Sequence, residues 1–261
     1  MSIELHSARS LTAGERAELF NAAYEGYLLP FHVDEPMLAF MDDAFDIDLD
    51  ASRIAERDGR RVGLGNLGVR REDAWIGGVG VVTEARRSGV GETLMRALHE
   101  QARERGIRRV WLEVIFENSG AFALYEKLGY RTVRDVEVWS LSEAAEEDDS
   151  GQANEVPAAE ACARIRELRS GREPWQRADA TVEHYGDARG LVTEAGAALF
   201  RATTAVQALQ LAGDVEPLLR RLRLLGAVSV LNLPVDDPAA QALRSLGAEV
   251  VVRQHEMLLE L

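Results

Sequence analysis

The pattern of apolar and polar positions is clearest in the middle of the first half of the chain. Apolar residues run from Trp75 to Val82, as in a buried strand, and a polar turn follows. The turn contains Arg86-x-x-Gly89-x-Gly91. Directly after it, apolar positions recur at helical spacing: Leu94, Met95, Leu98 and Ala102. The pattern therefore predicts a strand, a glycine loop and a helix in direct succession.

A strand, a glycine loop and a helix in this order can bind an anion. Glycines let a ligand approach the backbone closely, and the first N–H groups of a helix have no partner inside it. A phosphate is stabilised there by the positive end of the helix dipole. The loop lacks the Gly-Lys-Ser/Thr ending of a P-loop and the G-x-G-x-x-G of a dinucleotide site. Both of those nucleotide-binding classes are therefore excluded.

Further elements of the first half follow from periodicity, caps and turns. Thr12 is a helix cap with Glu15 at the capping-box position, and Asp58-Gly59 is a hairpin turn. The predicted strands are Ile3–Ala8, Arg53–Glu56, Arg61–Arg70, Ala74–Val82, Arg108–Phe116 and Thr132–Leu141. The predicted helices are Ala13–Gly26, 36–43, the helix after the glycine loop, and Ser119–Lys127.

The composition changes after residue 141. The segment from Leu141 to Glu160, both included, contains seven acidic residues and no basic ones, which is typical of a linker. We therefore predict a first domain at 1–142, an acidic linker at 143–158 and a second domain at 159–261. The predicted strands of the second domain are Leu191–Gly196, Ala198–Leu211, Ala227–Leu233 and Val250–Leu259, and its helices are Asp214–Leu225 and Asp236–Gly247.

The second half repeats the order of elements of the first. When Leu246-Gly247 is aligned with Leu128-Gly129, Asp236 falls opposite Asn118 and Leu243 opposite Tyr125. We interpret the second half as a decayed copy that has lost the glycine loop.

Composition narrows the possible classes of function and cellular location further. The chain has 261 residues and a net charge of −14, which argues against sequence-independent nucleic-acid binding. Neither a secretory signal nor an apolar run of membrane-spanning length is evident, and the one cysteine, Cys162, cannot form an internal disulfide. We expect a cytoplasmic protein with no membrane or nucleic-acid partner.

A second motif follows the glycine loop, and the two together resemble the GNAT superfamily of N-acetyltransferases. It consists of Leu112-Glu113-Val114, Asn118, Ala121 and the segment from Leu124 to Tyr130. The resemblance covers roughly residues 1–140. It implies an α/β (α+β) fold with a mixed, mostly antiparallel sheet flanked by helices, here duplicated with a reduced second domain. It also implies acetyl-CoA as co-substrate and no metal.

The resemblance implies roles for the residues around the loop. The backbone from Arg86 to Glu92 would hold the coenzyme's pyrophosphate, and the strand end at Val79–Val81 would pair with its pantetheine arm. The Val81 N–H would be the oxyanion donor. The side chains of Arg86 and Arg87 would add positive charge for the phosphates. For Arg87 the alternative is a solvated turn residue, and Asn118 is a pantetheine contact, a helix cap or both. The expected coenzyme-binding residues are Val79, Gly80, Val81, Arg86, Arg87, Ser88, Gly89, Val90, Gly91, Glu92, Thr93 and Asn118.

Two residues are expected to handle protons. Tyr125 resembles the family's tyrosine near the coenzyme sulfur and would be the general acid, since a phenol stays protonated at neutral pH; the alternative is a tyrosine that only packs on the sheet. Glu113 would be the general base or would merely shape the pocket. Glu117 and His99 are weaker candidates, and His99 is expected on the helix surface.

The region between the first two helices is expected to line the acceptor pocket. The candidate substrate contacts are Tyr24, Tyr27, Phe31, His32, Asp34 and Glu35. The expected acceptor is a small-molecule or peptide amine. The alternatives are a different acyl-CoA donor and a coenzyme A sensor without turnover. The second domain either closes the acceptor pocket or forms a homodimer interface.

Overall fold

The computed structural model describes residues 2–27, 32–144 and 153–261. The chain divides into two compact units. Unit 1 contains residues 1–133 together with 256–261, and unit 2 contains residues 134–255. Within the described residues, no helix has both the length and the apolar character needed to cross a lipid bilayer.

Unit 1 is built from the first ten elements and the end of the last one. They are β1 (Glu4–Ser7), α1 (Ala13–Ala23), α2 (Glu35–Ala44), β2 (Arg53–Arg57), β3 (Arg60–Arg70), β4 (Asp73–Val81), α3 (Val90–Glu104), β5 (Arg109–Ile115), α4 (Ser119–Lys127) and β6 (Arg131–Leu141). Strand β6 begins in unit 1 and continues into unit 2.

The sheet of unit 1 has the order β1-β2-β3-β4-β5-β12, where β12 (Glu249–Glu260) contributes its last residues. Strands β1 to β4 are antiparallel neighbours. Strands β4 and β5 are parallel, and their pairing covers only Asp73–Trp75 against Arg109–Trp111. Beyond that point the two strands part, which leaves a gap at their carboxyl ends.

The helices of unit 1 cover both faces of this sheet. Helix α3 buries Met95 and Leu98 in one core together with Leu112 of β5. Gly65 of β3 lies directly under this helix, since a Cβ there would come within 2.8 Å of Leu98. Helix α1 packs on the opposite face, where Ala23 meets Gly80 of β4.

Unit 2 repeats this order of elements. They are β7 (Asn154–Pro157), α5 (Ala158–Leu168), α6 (Asp179–Val182), β8 (Arg189–Val192), β9 (Gly196–Ala202), β10 (Val206–Gly213), α7 (Glu216–Arg223), β11 (Val228–Pro234), α8 (Pro238–Ser245) and most of β12. Its sheet has the order β12-β6-β11-β10-β9-β8-β7. Strands β10 and β11 are parallel, as β4 and β5 are in unit 1.

Each unit takes its last strand from the other half of the chain. The end of β12 lies next to β5 in unit 1, and residues 136–141 of β6 pair with β11 in unit 2. The predicted boundary at residue 142 therefore does not separate the compact units.

Two further predictions about the second half need correction. Residues 191–211 form three strands rather than two, because a turn at 203–205 divides the second predicted strand into β9 and β10. The predicted linker 143–158 includes β7, which pairs with β8, and the first residue of α5. The acidic residues 145–152 lie outside the described residues.

Candidate active site

A cavity of about 570 Å³ opens in unit 1 at the end of α1, the end of β4, the glycine loop and the start of α4. It brings together these predicted site residues: Tyr24, Tyr27, Val79, Gly80, Val81, Arg86, Arg87, Gly89, Gly91, Glu92 and Asn118. Its other lining residues are Ala23, Gly26, Glu117, Gly120, Ala121 and Leu124. Gly120, Ala121 and Leu124 lie on one face of α4 beside Asn118, so helical spacing was the signal that could have identified them.

The glycine loop presents free backbone donors to this cavity. Gly89 is the N-cap of α3 with a left-handed φ of 87°, and no side chain caps the helix. The first helical hydrogen bond runs from the Thr93 N–H to the Gly89 carbonyl, at 3.0 Å. Among the described residues, the N–H groups of Val90, Gly91 and Glu92 have no acceptor. The start of α3 can therefore donate to an anion in the cavity.

Arg86 has a different position from the one expected. Its guanidinium donates to the carbonyls of Val81 at 3.0 Å, Ala23 at 3.1 Å and Glu25 at 2.8 Å. Two of these carbonyls lie at the end of α1, where the helix dipole favours a cation. Arg86 therefore links the end of α1 to the end of β4. Its guanidinium binds these carbonyls, whereas it was expected to face a phosphate.

Arg87 remains as the cation of the loop. It lies on the cavity wall with an exposed side chain and a left-handed φ of 59°. Among the described residues, no ion pair or side-chain hydrogen bond involves its guanidinium. Arg87 is thus placed to contact a phosphate.

Three expected coenzyme contacts do not line the cavity with their side chains. The Ser88 hydroxyl donates to the Ala85 carbonyl at 2.6 Å and accepts from Arg57 at 3.0 Å. The Thr93 hydroxyl donates to the Gly89 carbonyl at 3.0 Å, and Val90 is buried in the core. The structure therefore leaves their backbone, and not their side chains, for ligand binding.

Glu92 brings a negative charge to the first turn of α3. Its carboxylate accepts hydrogen bonds from Lys127 at 2.6 Å and from Arg96 at 2.8 Å. The bond from Lys127, followed by that from Arg96, holds the pKa of Glu92 below its usual range. Glu92 is thus ionised but balanced by two cations.

The backbone of Val81 is oriented toward the gap between β4 and β5. The next residue, Val82, donates its N–H to the Val62 carbonyl on the β3 side. Because successive N–H groups of a strand point in opposite directions, the Val81 N–H points away from β3. This orientation is the one required for an oxyanion donor.

Asn118 joins two parts of the cavity wall. Its side-chain oxygen accepts from the Ala121 N–H at 3.2 Å and so caps α4, as expected from its position before the helix. Its amide nitrogen donates to the Tyr27 hydroxyl at 3.4 Å. Asn118 therefore connects the start of α4 with the end of α1.

Tyr125 is not among the residues that line the cavity. Its ring is half-buried, 5.9 Å from the ring of Tyr130, and the neighbouring Leu124 lines the cavity. Burial raises the pKa of the Tyr125 phenol above its usual value. Tyr125 therefore stays protonated, as a general acid must before it donates.

Glu113 also lies outside the cavity lining. It is half-buried on β5, and its carboxylate accepts from the indole N–H of Trp75 at 2.8 Å. Leu112 and Val114 point into the core on the α3 side, so Glu113 faces the side of α1 and α2. The alternation of the strand predicted this orientation.

His99 is buried, and the expectation that it lies on the helix surface is wrong. It is 4% exposed and its Nε2 lies 2.9 Å from the Tyr130 hydroxyl. Burial lowers the pKa of His99 to about 4, so it is neutral at pH 7. Glu117, by contrast, lines the cavity.

The acceptor candidates separate into two groups. Tyr24 and Tyr27 line the cavity, with their rings packed edge to face at 5.2 Å. His32 and Glu35 are exposed and do not line it, and Asp34 caps α2. Phe31 lies outside the described residues.

Residues 17–130 match the family model described as the acetyltransferase (GNAT) family. An Escherichia coli relative named ribosomal protein bS18-alanine N-acetyltransferase is 36% identical over 59 residues, which are 23% of this chain and 40% of that protein. The chain spans 40–50% of the length of the curated relatives it matches.

Two solved structures match nearly the whole chain. A GCN5-related N-acetyltransferase from Sphaerobacter thermophilus has a TM-score of 0.77 and 17% identity, and the match covers 99% of this chain and 95% of that one. A tandem GNAT protein from the clavulanic acid biosynthesis pathway has a TM-score of 0.64 and 16% identity, covering 99% and 98% of the two chains. At these identities the likeness shows the fold, which is the mixed and mostly antiparallel GNAT fold predicted from the sequence.

Proposed function

We propose that the chain transfers an acetyl group from acetyl-CoA to a primary amine, because residues 17–130 match the acetyltransferase (GNAT) family model. The transfer is direct, with both substrates bound together in unit 1. We further propose that unit 2 is a degenerate copy of the same fold, so that each chain has one coenzyme site.

The observation that carries this proposal is the open first turn of α3. The free N–H groups of Val90, Gly91 and Glu92 stand at the start of α3, and Gly91, Glu92 and the exposed Arg87 all line the cavity. A pyrophosphate needs several donors and a positive potential, and these groups supply both. The gap beyond the end of β4 accommodates an extended arm beside Val79–Val81, whose backbone offers hydrogen bonds like those of an added strand.

The remaining groups supply the chemistry of acetyl transfer. The amine must lose a proton before it attacks, since an alkylammonium has a pKa of about 10. Glu113 takes that proton, and the Val81 N–H stabilises the oxyanion that forms on the acetyl carbonyl. Tyr125, whose raised pKa keeps it protonated, donates to the departing thiolate.

The coenzyme site is tested by calorimetric titration of acetyl-CoA into the full chain and into Gly89→Arg and Gly91→Arg. We expect binding in the micromolar range at one site per chain, and its loss in both variants. Gly106→Arg is the matched control, because Gly106 has a φ of 72° and no atom within 4 Å of a built Cβ, as Gly89 does, but it lies at the other end of α3. Two sites, or equal loss of binding in Gly106→Arg, would contradict the assignment.

The reaction is tested by thiol release from acetyl-CoA with a panel of amines. The panel includes a peptide that begins with alanine, because the Escherichia coli relative is named an alanine N-acetyltransferase. Glu113→Gln and Tyr125→Phe are each expected to lower kcat by about 10²- to 10⁴-fold, the range for a general acid or base. Binding of acetyl-CoA without turnover of any amine would favour a coenzyme A sensor. Turnover with another acyl-CoA but not with acetyl-CoA would show that the donor is a different acyl-CoA.

A further inference from the structure

We propose that Trp75 is a positioning residue for Glu113, an inference that rests on the proposed function because Glu113 is its base. The indole N–H donates to one carboxylate oxygen of Glu113 at 2.8 Å. Trp75 is 6% exposed, so water does not compete for this bond. The bond joins β4 to β5 just where their backbone pairing ends, at the beginning of the gap.

The sheet contains a matching bond that serves as a comparison. Trp75 and Trp111 are register partners on the parallel strands β4 and β5. Trp75 donates forward to Glu113, two residues beyond Trp111, whereas Trp111 donates backward to Asp73, two residues before Trp75, also at 2.8 Å. Both indoles are buried, and both carboxylates lie on the same face of the sheet. Only the forward bond reaches toward the gap.

The Trp75 ring is itself held in place from two sides. A Cβ at Gly77 would lie 2.2 Å from the Trp75 ring, so only glycine allows the ring to lie along the strand. Phe45 packs against the ring edge to face, with a centroid distance of 5.3 Å. The ring therefore has little freedom, and the carboxylate it binds is fixed with it.

A fixed donor affects a base in two ways. It orients the carboxylate, which raises the fraction of encounters in which the amine proton meets an oxygen. It also favours the ionised form, which is the form that accepts a proton. Loss of the indole N–H should therefore lower the rate and shift the acidic limb of the pH profile upward.

The first test compares Trp75→Phe with Trp111→Phe, using thiol release with the amine of the panel that reacts fastest. Both changes keep an aromatic ring and remove one indole–carboxylate bond. Trp75→Phe is expected to lower kcat about tenfold and to move the acidic limb of the kcat profile to higher pH, while Trp111→Phe changes neither by more than about twofold. The KM for acetyl-CoA should be unchanged in both.

A double-mutant cycle tests whether Trp75 acts through Glu113. In the Glu113→Gln background, Trp75→Phe should lower the residual rate by less than about twofold, because there is no base left to position. A full tenfold loss in that background would mean that Trp75 acts elsewhere.

Nuclear magnetic resonance tests the bond without any acceptor. The indole N–H signal of Trp75, assigned by its disappearance in Trp75→Phe, should shift with pH in the full chain and lose this dependence in Glu113→Gln. The Trp111 signal should respond to Asp73→Asn and not to Glu113→Gln. A Trp75 signal that ignores Glu113→Gln would overturn the inference.

The results separate this inference from the proposed function. If Glu113→Gln keeps full activity, the base assignment fails and the positioning role fails with it. If Glu113→Gln is inactive but Trp75→Phe behaves like Trp111→Phe in both rate and pH profile, only the positioning role is wrong.

Discussion

Each unit has a gap between two parallel strands that pair only at their beginnings, but the contents of the two gaps differ. In unit 1, β4 and β5 part after Trp75 and Trp111, and the cavity at their ends measures about 570 Å³. In unit 2, β10 and β11 part after Ala208 and Val230, and the cavity there measures only about 150 Å³. The same topology therefore encloses a much larger cavity in unit 1 than in unit 2.

A buried ion pair occupies the space in unit 2. The guanidinium of Arg177, 2% exposed, donates to Glu173 at 2.9 Å and to the Leu231 carbonyl of β11 at 3.3 Å. From the other strand, Gln210 donates to the Arg177 carbonyl at 2.6 Å. In this unit, groups of the chain itself fill the place where β10 and β11 part.

The helix after β10 differs as well. Helix α7 has Pro217 in its first turn, which removes one backbone donor, and it has no glycine at its N-cap, where Val215 stands. Unit 2 therefore differs from unit 1 in both features on which the proposed coenzyme site depends, the glycine turn at the start of the helix and the open gap between the parallel strands.

The largest expected effect on the free energy of unfolding comes from breaking the buried ion pair of Arg177 and Glu173. Arg177→Ala leaves Glu173 buried without its cation and should lower the free energy of unfolding of unit 2 by about 3–5 kcal/mol. The double variant Arg177→Met with Glu173→Leu should recover most of this loss, because no charge is left buried. Hydrogen exchange resolved along the chain measures the change in each unit.

Arg189→Ala is the control for this prediction. Arg189 binds Glu155 at 2.6 Å, but both side chains are about half exposed, so its loss should cost about 1 kcal/mol or less. Equal losses for Arg177→Ala and Arg189→Ala would contradict the role given to the buried pair. Calorimetry on the double variant sharpens the comparison: a second acetyl-CoA site would mean that filling of the gap alone prevents binding in unit 2.

The next largest effect on stability comes from the strands β6 and β12, which the two halves of the chain exchange. Met257 of β12 is fully buried in the core of unit 1, and Trp139 of β6 is 2% exposed in the core of unit 2. Met257→Ala should therefore destabilise unit 1 by about 2–5 kcal/mol, although residue 257 lies in the second half of the chain. Trp139→Ala should destabilise unit 2 by a similar amount.

Local hydrogen exchange distinguishes this arrangement from two independent halves. Faster exchange confined to residues 159–255 in Met257→Ala would show that β12 belongs to the second half instead. Met37→Ala is the control, since that side chain is 40% exposed and its loss should change little.

The parts that could be predicted from sequence are the ones encoded by neighbouring residues. The capping box of α1 is confirmed, with the Thr12 N–H donating to Glu15 at 2.9 Å and the Glu15 N–H donating back at 3.2 Å. The open start of α3 and the cap at Asn118 also depend on a few consecutive residues. The exchanged strands could not be predicted in this way, because no pattern local to β6 or β12 specifies whether the strand lies next to β5 or next to β11.

Two predictions from the sequence, the absence of β7 and the surface position of His99, were wrong for other physical reasons. The four-residue β7 is stabilised by pairing with β8, and a strand that short has almost no periodicity of its own. A polar side chain suggests a surface position for His99, yet His99 follows Met95 by four residues and precedes Ala102 by three, which puts it on the apolar stripe of α3. Position along the helix was the better guide.

The burial of His99 also gives the two units different responses to acid. Its pKa falls from 6.5 to about 4 on folding, chiefly by burial and secondarily by Arg103 and Arg96. The unfolded chain thus binds a proton near pH 6.5 that the folded chain binds only near pH 4. Unit 1 should lose at most about 3 kcal/mol as the pH falls from about 6.5 to about 4, with no further loss from His99 below that.

Asp179 of unit 2 should respond at lower pH than His99 does. Hydrogen bonds from Arg169, Gln210 and Arg166 hold the pKa of Asp179 well below its usual 3.8, so its contribution to stability is lost only as the pH falls below about that value.

Hydrogen exchange at pH 7 and pH 5, corrected for the intrinsic rate, should show weaker protection in unit 1 and unchanged protection in unit 2. His99→Gln, which stays neutral and can still bond to Tyr130, should remove this loss, whereas His6→Gln at an exposed position should retain it. If unit 1 of His99→Gln weakens with acid as the full chain does, another group in the unit causes the response.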